Sequence, residues 1–463
     1  TSEGELPGKQ PTAAVGDAWL GVFASDDGGE SWTSTMLPGY PQDPNANPLK
    51  GYRAAADPVV RSGPNGLFYY SGIAFNRDTD LGVVFVARFI DDNNKEGGGT
   101  IRYIDTKIIA KGTATKFLDK PWIAVDQPRY PFSNITISGQ TFPRHNVYIV
   151  YSSFSGTTTL LGDIMFARST DCGTKWGTPI KISSGSYAHQ GATIAIKPVI
   201  GEVLVAWRRF GVPGRTPDAI YVAQSLTRGA RFQSPVKVAD VAPFDQPTTD
   251  ETQSLPGTAA GTAFRTNSYP TIAADKSGHV YIAWSQRGAG PTGDARVVLS
   301  SSYFGSNWSA PEAVANVDAN GLPFLGHQIM PSLTFGGGNL ALVWIDQRRD
   351  VSSSAYGFNQ WVIDSLPYRH TMDIWAAEAD TSTFPSLVWK SRQVSRYLHS
   401  LLQDEFGDIV YEDGVPVIFP VQFNCVNYPL FKGGHNPFNG DYIDIAAAPS
   451  FRLDTWRNWI FNT

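Results

Sequence analysis

The chain has 463 residues, a formal net charge of −5, only 17% charged residues, 13% aromatics, 45 glycines and 32 prolines. A net negative charge gives no bulk attraction to nucleic acid or to an anionic membrane surface, and no run reaches the ~20 apolar residues of a membrane span. Sparse charge with abundant Gly, Pro and aromatics describes many short strands joined by tight turns, not helices.

In chain order, residues 18–37 supply two strands. Six segments then share one pattern, a polar residue followed after a short gap by an alternating apolar strand. They begin at Asp57 (DPVV), Asp119 (DKPWIAV), His189 (HQGATIAI), Asn267 (NSYPTIAA), His327 (HQIMPSLTF) and Asn439 (NGDYIDIAA). A turn and a second strand follow, as at 147–151 (VYIVY), 203–207 (VLVAW), 280–284 (VYIAW) and 340–344 (LALVW). The period of two and the β-branched content mark these as strands. The stretch 350–440 is longer and less regular, with a strand expected at 371–377 and a helix near 394–403. Residues 441–463 again hold two strands' worth of sequence, so the two ends together make one unit. Six units result; a seventh inside 350–440 is the competing count.

Several units continue into an octapeptide. Residues 25–32 (SDDGGESW) and 169–176 (STDCGTKW) read S-x-D-x-G-x-x-W, with looser copies at 225–232 (SLTRGARF) and 301–308 (SSYFGSNW). Asp accepts backbone hydrogen bonds within such a turn, Gly supplies a positive φ, and Trp packs beneath it. These octapeptides resemble the Asp boxes of sialidases and BNR-repeat proteins. The resemblance runs over nearly the whole chain as repeat architecture. It implies an all-β fold, a six-bladed β-propeller of four-stranded blades closed by N- and C-terminal strands in one blade. Residues 1–463 then form a single domain with an insertion-rich segment at 350–440.

Because the chain reverses at every strand, the loops leading into the first strand of each blade share a face with those joining its second and third strands. The octapeptide turns lie on the other face and are structural. The shared face gathers Arg53 and Asp57, Asp119 and Lys120, His189 and Gln190, Arg265 and Asn267, His327 and Gln328, and Asn439 and Asp441. Second-strand exits add Arg77, Arg208, Arg209, Arg287, Arg348 and Arg349. Guanidinium groups bind carboxylates in a bidentate way, which suits an anionic glycan or glycoconjugate. A plainer reading has each Arg paired with a neighbouring Asp, and each Asp capping a turn.

The resemblance implies three arginines on a sugar carboxylate, an Asp general acid and a Tyr nucleophile activated by Glu. By predicted position the clamp falls to Arg53, Arg265, Arg287 and Arg348, with His189 and His327 beside it. The acid falls to Asp57 or Asp119, and the nucleophile to Tyr442 or Tyr428. This chain departs from the pattern: it has no Arg-Ile-Pro triplet and no evident Tyr–Glu pair, Glu251 being the nearest glutamate. A second reading is a non-catalytic binding or structural propeller. There Asp57, Asp119 and Asp441 offer oxygen ligands of the kind calcium takes, and Tyr356, Phe358, Trp361 and Tyr368 of the 350–440 segment face a protein partner. A third is a lyase of acidic polysaccharides with His189 or His327 as base. The spacing of the two histidines gives no zinc signature.

Thr1 in place of Met fits a processed, secreted or cell-surface protein. Cys172 and Cys425 form either one bridge or two buried thiols. The triplets Asn134-Ile-Thr136 and Asn307-Trp-Ser309 are N-glycosylation sequons, short enough to occur by chance.

Overall fold

In the computed structural model the chain is described at residues 18–25, 30–76, 81–91, 101–113, 115–129, 131–156, 161–244, 267–290, 293–315, 324, 326–346, 348, 373–395, 399–401, 404, 406–412, 414–416, 418–420, 443–447 and 459–462. The described residues form strands and short 3-10 turns and no α-helix. Two compact units divide the chain, one of residues 1–210 and 223–235, the other of 211–222 and 236–463.

The first unit opens with the paired strands β1 (Gly21–Ala24) and β2 (Thr33–Met36). A four-stranded antiparallel sheet follows, in order β3 (Ala54–Ser62), β4 (Leu67–Phe75), β5 (Gly82–Ile90) and β6 (Arg102–Lys111). The next sheet combines β7 (Lys116–Val125), β10 (Val147–Ser155), β11 (Leu161–Ser169) and β12 (Ile180–Lys181), with the hairpin β8 (Asn134–Ile137) and β9 (Gln140–Pro143) inserted after β7. A third sheet has the order β13 (His189–Ile196), β14 (Val203–Arg209), β15 (Asp218–Ser225) and β16 (Val236–Val241), and the division between units passes through it. Within the first unit β3 neighbours β7 and β7 neighbours β13, so the first strands of successive sheets stand side by side. Leu20 and Leu37 from the first hairpin share a buried cluster with Ala55, Tyr70, Ala74 and Phe85.

The second unit repeats the scheme. Its sheets are β17 (Thr271–Ala274), β18 (Val280–Gln286), β19 (Arg296–Ser302) and β20 (Glu312–Ala313), then β21 (Gln328–Gly336), β22 (Asn339–Asp346), β23 (Asp373–Asp380) and β24 (Lys390–Gln393). Short pairs follow: β25 (His399–Leu401) with β28 (Ile418–Pro420), β26 (Tyr411–Glu412) with β27 (Val415–Pro416), and β29 (Asp444–Ala447) with β30 (Trp459–Asn462). Here β17 neighbours β21 and β21 neighbours β29. Ile443 and Ile445 pack with Ile329, Val343 and Ile374. Among the described residues, five four-stranded antiparallel sheets, each beginning at its first strand and ending at its fourth, are consistent with a β-propeller.

The helix expected near 394–403 is absent from the described part of that stretch. Val394 and Ser395 both donate to the Ile374 carbonyl, and 399–401 pairs with 418–420. Cross-strand partners for the backbone prevail there over local helix propensity. The strand expected at 371–377 runs over Asp373–Asp380.

The octapeptide at 169–176 folds into a turn held by its own side chains. Ser169 Oγ accepts from Gly173 N–H at 2.9 Å, and Asp171 Oδ1 accepts from Lys175 N–H at 2.9 Å. The looser copy at 225–232 repeats both bonds with Thr in place of Asp: Gly229 N–H to Ser225 Oγ at 2.9 Å, Arg231 N–H to Thr227 Oγ1 at 3.0 Å. Gly173 and Gly229 have φ of 74° and 77°, the left-handed region open to glycine. Each turn joins the third and fourth strands of its sheet. Cys172 is a free, buried thiol in the first of them, while Cys425 lies outside the described residues, as does the centre of the copy at 25–32.

Candidate functional site

Four first strands carry the same irregularity. Two residues oppose one on the second strand: Asp57-Pro58 against Gly72, Lys120-Pro121 against Tyr151, Gly191-Ala192 against Trp207, and Met330-Pro331 against Trp344. The first residue of each bulge is left-handed, with φ of 59° at Asp57, 51° at Lys120, 69° at Gly191 and 51° at Met330. Three of the four are not glycine, and each of those three precedes a proline, so the conformation stores strain. Bulges re-aim side chains and gather beside functional sites. The sequence suggested that Asp57 and Asp119 lie in loops ahead of their strands. They lie inside β3 and β7, because 54–56 and 116–118 already pair with the second strand and the proline displaces the register without ending the strand.

In the first unit these bulges tie successive first strands together through polar groups. Asp57 Oδ2 accepts the Lys120 backbone N–H at 3.3 Å, and Asp119 Oδ2 accepts from Gln190 Nε2 at 2.8 Å. Asp57 and Asp119 are half-buried, whereas Lys120 is buried. His189, at the start of β13, is buried and bonded at both ring nitrogens. Nδ1 accepts from Trp207 Nε1 at 2.9 Å, so Nε2 carries the proton and donates to Ser184 O at 3.1 Å. Burial pushes its pKa down to about 4, leaving a neutral imidazole at pH 7. Beside it Arg209 lies 4.7 Å over Tyr187, and Arg208 lies 4.2 Å over Phe210. Lys181 pairs with Asp163 at 2.6 Å. Arg53 precedes β3, its N–H bonded to Asn76 Oδ1 at 2.9 Å.

In the second unit charged groups at the end of β22 and the start of β19 are bound up with one another. Asp346, at the end of β22, accepts from Trp344 Nε1, from Gln328 Nε2 and from the backbone N–H, Nε and Nη2 of Arg348, at 2.6–3.3 Å. The Arg348 guanidinium is sandwiched 3.7 Å from the Phe324 ring centre and 3.6 Å from that of Trp375. Arg296 is buried alongside, bonded to the carbonyls of Ala295, Phe324 and Gly326 and paired with Asp294. His327 accepts from Ala295 N–H at 3.1 Å and lies 4.3 Å from the Phe244 ring; burial pushes its pKa down to about 3. Arg287 sits 5.7 Å from the same Phe244 ring.

Of the residues named from sequence, Asp57, Asp119 and His189 therefore occupy one run of first strands with Arg53 close by, and Arg287, His327 and Arg348 belong to the second unit. Arg265 and Tyr442 lie outside the described residues, as do Tyr428, Glu251, Asp441, Arg77, Arg349 and the aromatics of 350–372. Among the described residues no group of three His, Cys, Asp or Glu side chains is placed to hold a metal ion, and no helix is long and apolar enough to cross a membrane. Asp346 and Arg296 were given no role from sequence. The signal for Asp346 was its place two residues before Arg348; Arg296 reads as the first residue of an apolar strand and carried none.

No family model matches the chain, and no curated protein matches it. Among solved structures the chain is similar to a GH93 α-L-arabinofuranosidase of Fusarium graminearum in complex with arabinobiose, at 12% identity over 71% of this chain and 80% of that chain, with a TM-score of 0.40. It is also similar to an α-L-arabinanase of Penicillium chrysogenum, at 13% identity over 71% and 80% with a TM-score of 0.39. A Trypanosoma rangeli sialidase in complex with sialic acid gives 10% identity over 84% of this chain and 54% of that one, with a TM-score of 0.38. Likenesses this distant assign no activity to the chain.

Proposed function

We propose that the chain is a carbohydrate-active protein of the sialidase-like kind, recognising an anionic glycan along the bulged first strands of the first unit. Asp57 and Asp119 are its acid–base carboxylates in this reading, and Arg53 with Lys120 supplies positive charge beside them. The same reading takes the protein as a secreted, six-bladed propeller with Asp-box turns. The observation that carries it is the repeated left-handed bulge. It sets Asp57 and Lys120 in strained backbone on neighbouring strands, where Asp57 and Asp119 are half-buried. Two of the four bulges put a polar residue in the strained position, and strain of this kind clusters at binding and catalytic sites.

The test is turnover of fluorogenic glycosides, a sialoside first and neutral pyranosides and furanosides beside it, with Asp57→Asn and Asp119→Asn variants. Asn tolerates the left-handed conformation, so Asp57→Asn removes charge without removing the bulge. Turnover that falls about 10²- to 10⁴-fold in either variant, with unfolding unchanged, is the expected result. Saturable glycan binding without turnover moves the reading to a non-catalytic lectin-like propeller. Neither binding nor turnover overturns it.

A further inference from the structure

The sequence holds two Asn-X-Ser/Thr triplets, Asn134-Ile135-Thr136 and Asn307-Trp308-Ser309, one in each unit. Both asparagines are exposed. Each follows closely on an outward-facing phenylalanine: Phe132, two residues before Asn134, is 50% exposed, and Phe304, three residues before Asn307, is 74% exposed. Covering apolar surface gains roughly 25 cal/mol for every Å², so a sugar seated on either ring would be stabilised there.

The turn at 301–308 sharpens the case. In the copies at 169–176 and 225–232 the third residue, Asp171 or Thr227, caps the backbone N–H of the seventh, Lys175 or Arg231. At 301–308 the third residue is Tyr303 and the seventh is Asn307. Tyr303 has no short oxygen to turn inward. Its ring packs edge-on against His279 and Phe384, with ring centres 5.0 and 4.6 Å apart, and stays 54% exposed. The turn has exchanged a capping side chain for an aromatic surface. Lys175, Arg231 and Asn307 are all exposed, so the seventh position of this turn presents its side chain to solvent in each copy.

We propose that Asn134 and Asn307 carry N-linked glycans and that Phe132 and Phe304 are the platforms on which the first sugar of each glycan rests. The aromatic face, negative in its quadrupole, attracts the row of C–H groups on one face of a pyranose ring. The attachment itself draws on an oligosaccharide linked to a lipid diphosphate. The asparagine Nδ2 forms a bond to the anomeric carbon, the bond from that carbon to the diphosphate oxygen breaks, and the diphosphate leaves with the electron pair. A proton is lost from the amide nitrogen to a base of the transferase.

The experiment is a double-mutant cycle on the full chain secreted from eukaryotic cells, with peptide mass spectrometry at both sites. Ser309 is left intact, because its Oγ accepts the Ser301 N–H at 3.0 Å and its removal would disturb the turn for an unrelated reason. Glycopeptides at Asn134 and Asn307 are expected. Phe304→Ser is expected to lower the thermal midpoint by about 2 °C in the glycosylated protein and to have no such effect in an Asn307→Gln background. The same pattern is expected for Phe132→Ser against Asn134→Gln. Unmodified asparagines overturn the proposal, and so does a Phe304→Ser effect of equal size in both backgrounds.

Discussion

The two units carry charged groups on different strands of the repeat, the first strand in one and the second-strand exit in the other, and treat them in opposite ways. In the second, Asp346 is saturated with donors and Arg348 is closed between Phe324 and Trp375, with only 7% of its side chain exposed. In the first, Asp57 opens a bulge and Asp119 directly precedes one; each accepts a bond from the neighbouring first strand, and both residues are half-buried. A carboxylate whose lone pairs are all taken by buried donors is cement. One with acceptor capacity facing solvent is able to meet a ligand. What closes the second cluster is the pair of rings of Phe324 and Trp375 over Arg348 together with the Gln328 donor to Asp346.

The sharpest way to break this contrast is Asp346→Ala. It leaves the Arg348 guanidinium buried without its counter-charge, and is expected to cost about 3–5 kcal/mol of unfolding free energy in urea. A loss under about 1 kcal/mol would show that the cluster is not the clamp described. Next in size is a pH effect that both units should share. His189 and His327 ordinarily titrate near 6.5 and are held down to about 4 and about 3 by burial. Below pH 6.5 the unfolded chain takes up protons that the folded chain refuses. The stability from each neutral histidine is therefore complete above about pH 6.5 and drains away as the pH falls toward the folded value, by about 3 kcal/mol at most for His189 and by more for His327. Unfolding curves of parent and His189→Gln across pH 7.5 to 4.5 should converge as the pH falls; parallel curves would contradict the neutral, doubly bonded ring. Asp171→Ala removes a turn cap, and a loss of about 1 kcal/mol is expected. The smallest effect is expected of Asp119→Ala, under about 1 kcal/mol, since it gives up one bond at a half-open position. A large loss there would erase the distinction between the units.

Much of the fold was legible in the sequence because period-two strands, Gly-bearing turns and the S-x-D-x-G-x-x-W octapeptides are local signals. The copy at 225–232 was legible even without its Asp, since Thr227 offers the same oxygen at the same distance along the chain. The site was less legible. The prolines at 58, 121, 270 and 331 were in plain view at matching repeat positions, but a proline in a strand does not announce whether it ends the strand or shifts its register. Here partners on the second strand decided for the shift at 58, 121 and 331. Arg348 illustrates a different limit. Its position after a strand suggested an open guanidinium, while its partners Phe324 and Trp375 lie 24 and 27 residues away, beyond what local patterning reports.

The bulges also bear on how the protein behaves in a crowd. Strands β3, β7, β17 and β21 each end their sheets, with a hydrogen-bonded partner on one side only, and such a flank is the place where a foreign strand docks and templates fibril growth. Pro58, Pro121 and Pro331 each delete a backbone donor from it, and the extra residue breaks the straight run of groups that an incoming strand must match; Pro270, immediately before β17, leaves the fourth strand no donor at its start. The same device that re-aims side chains in β3, β7 and β21 thus makes these strands poor recruits for unwanted assembly.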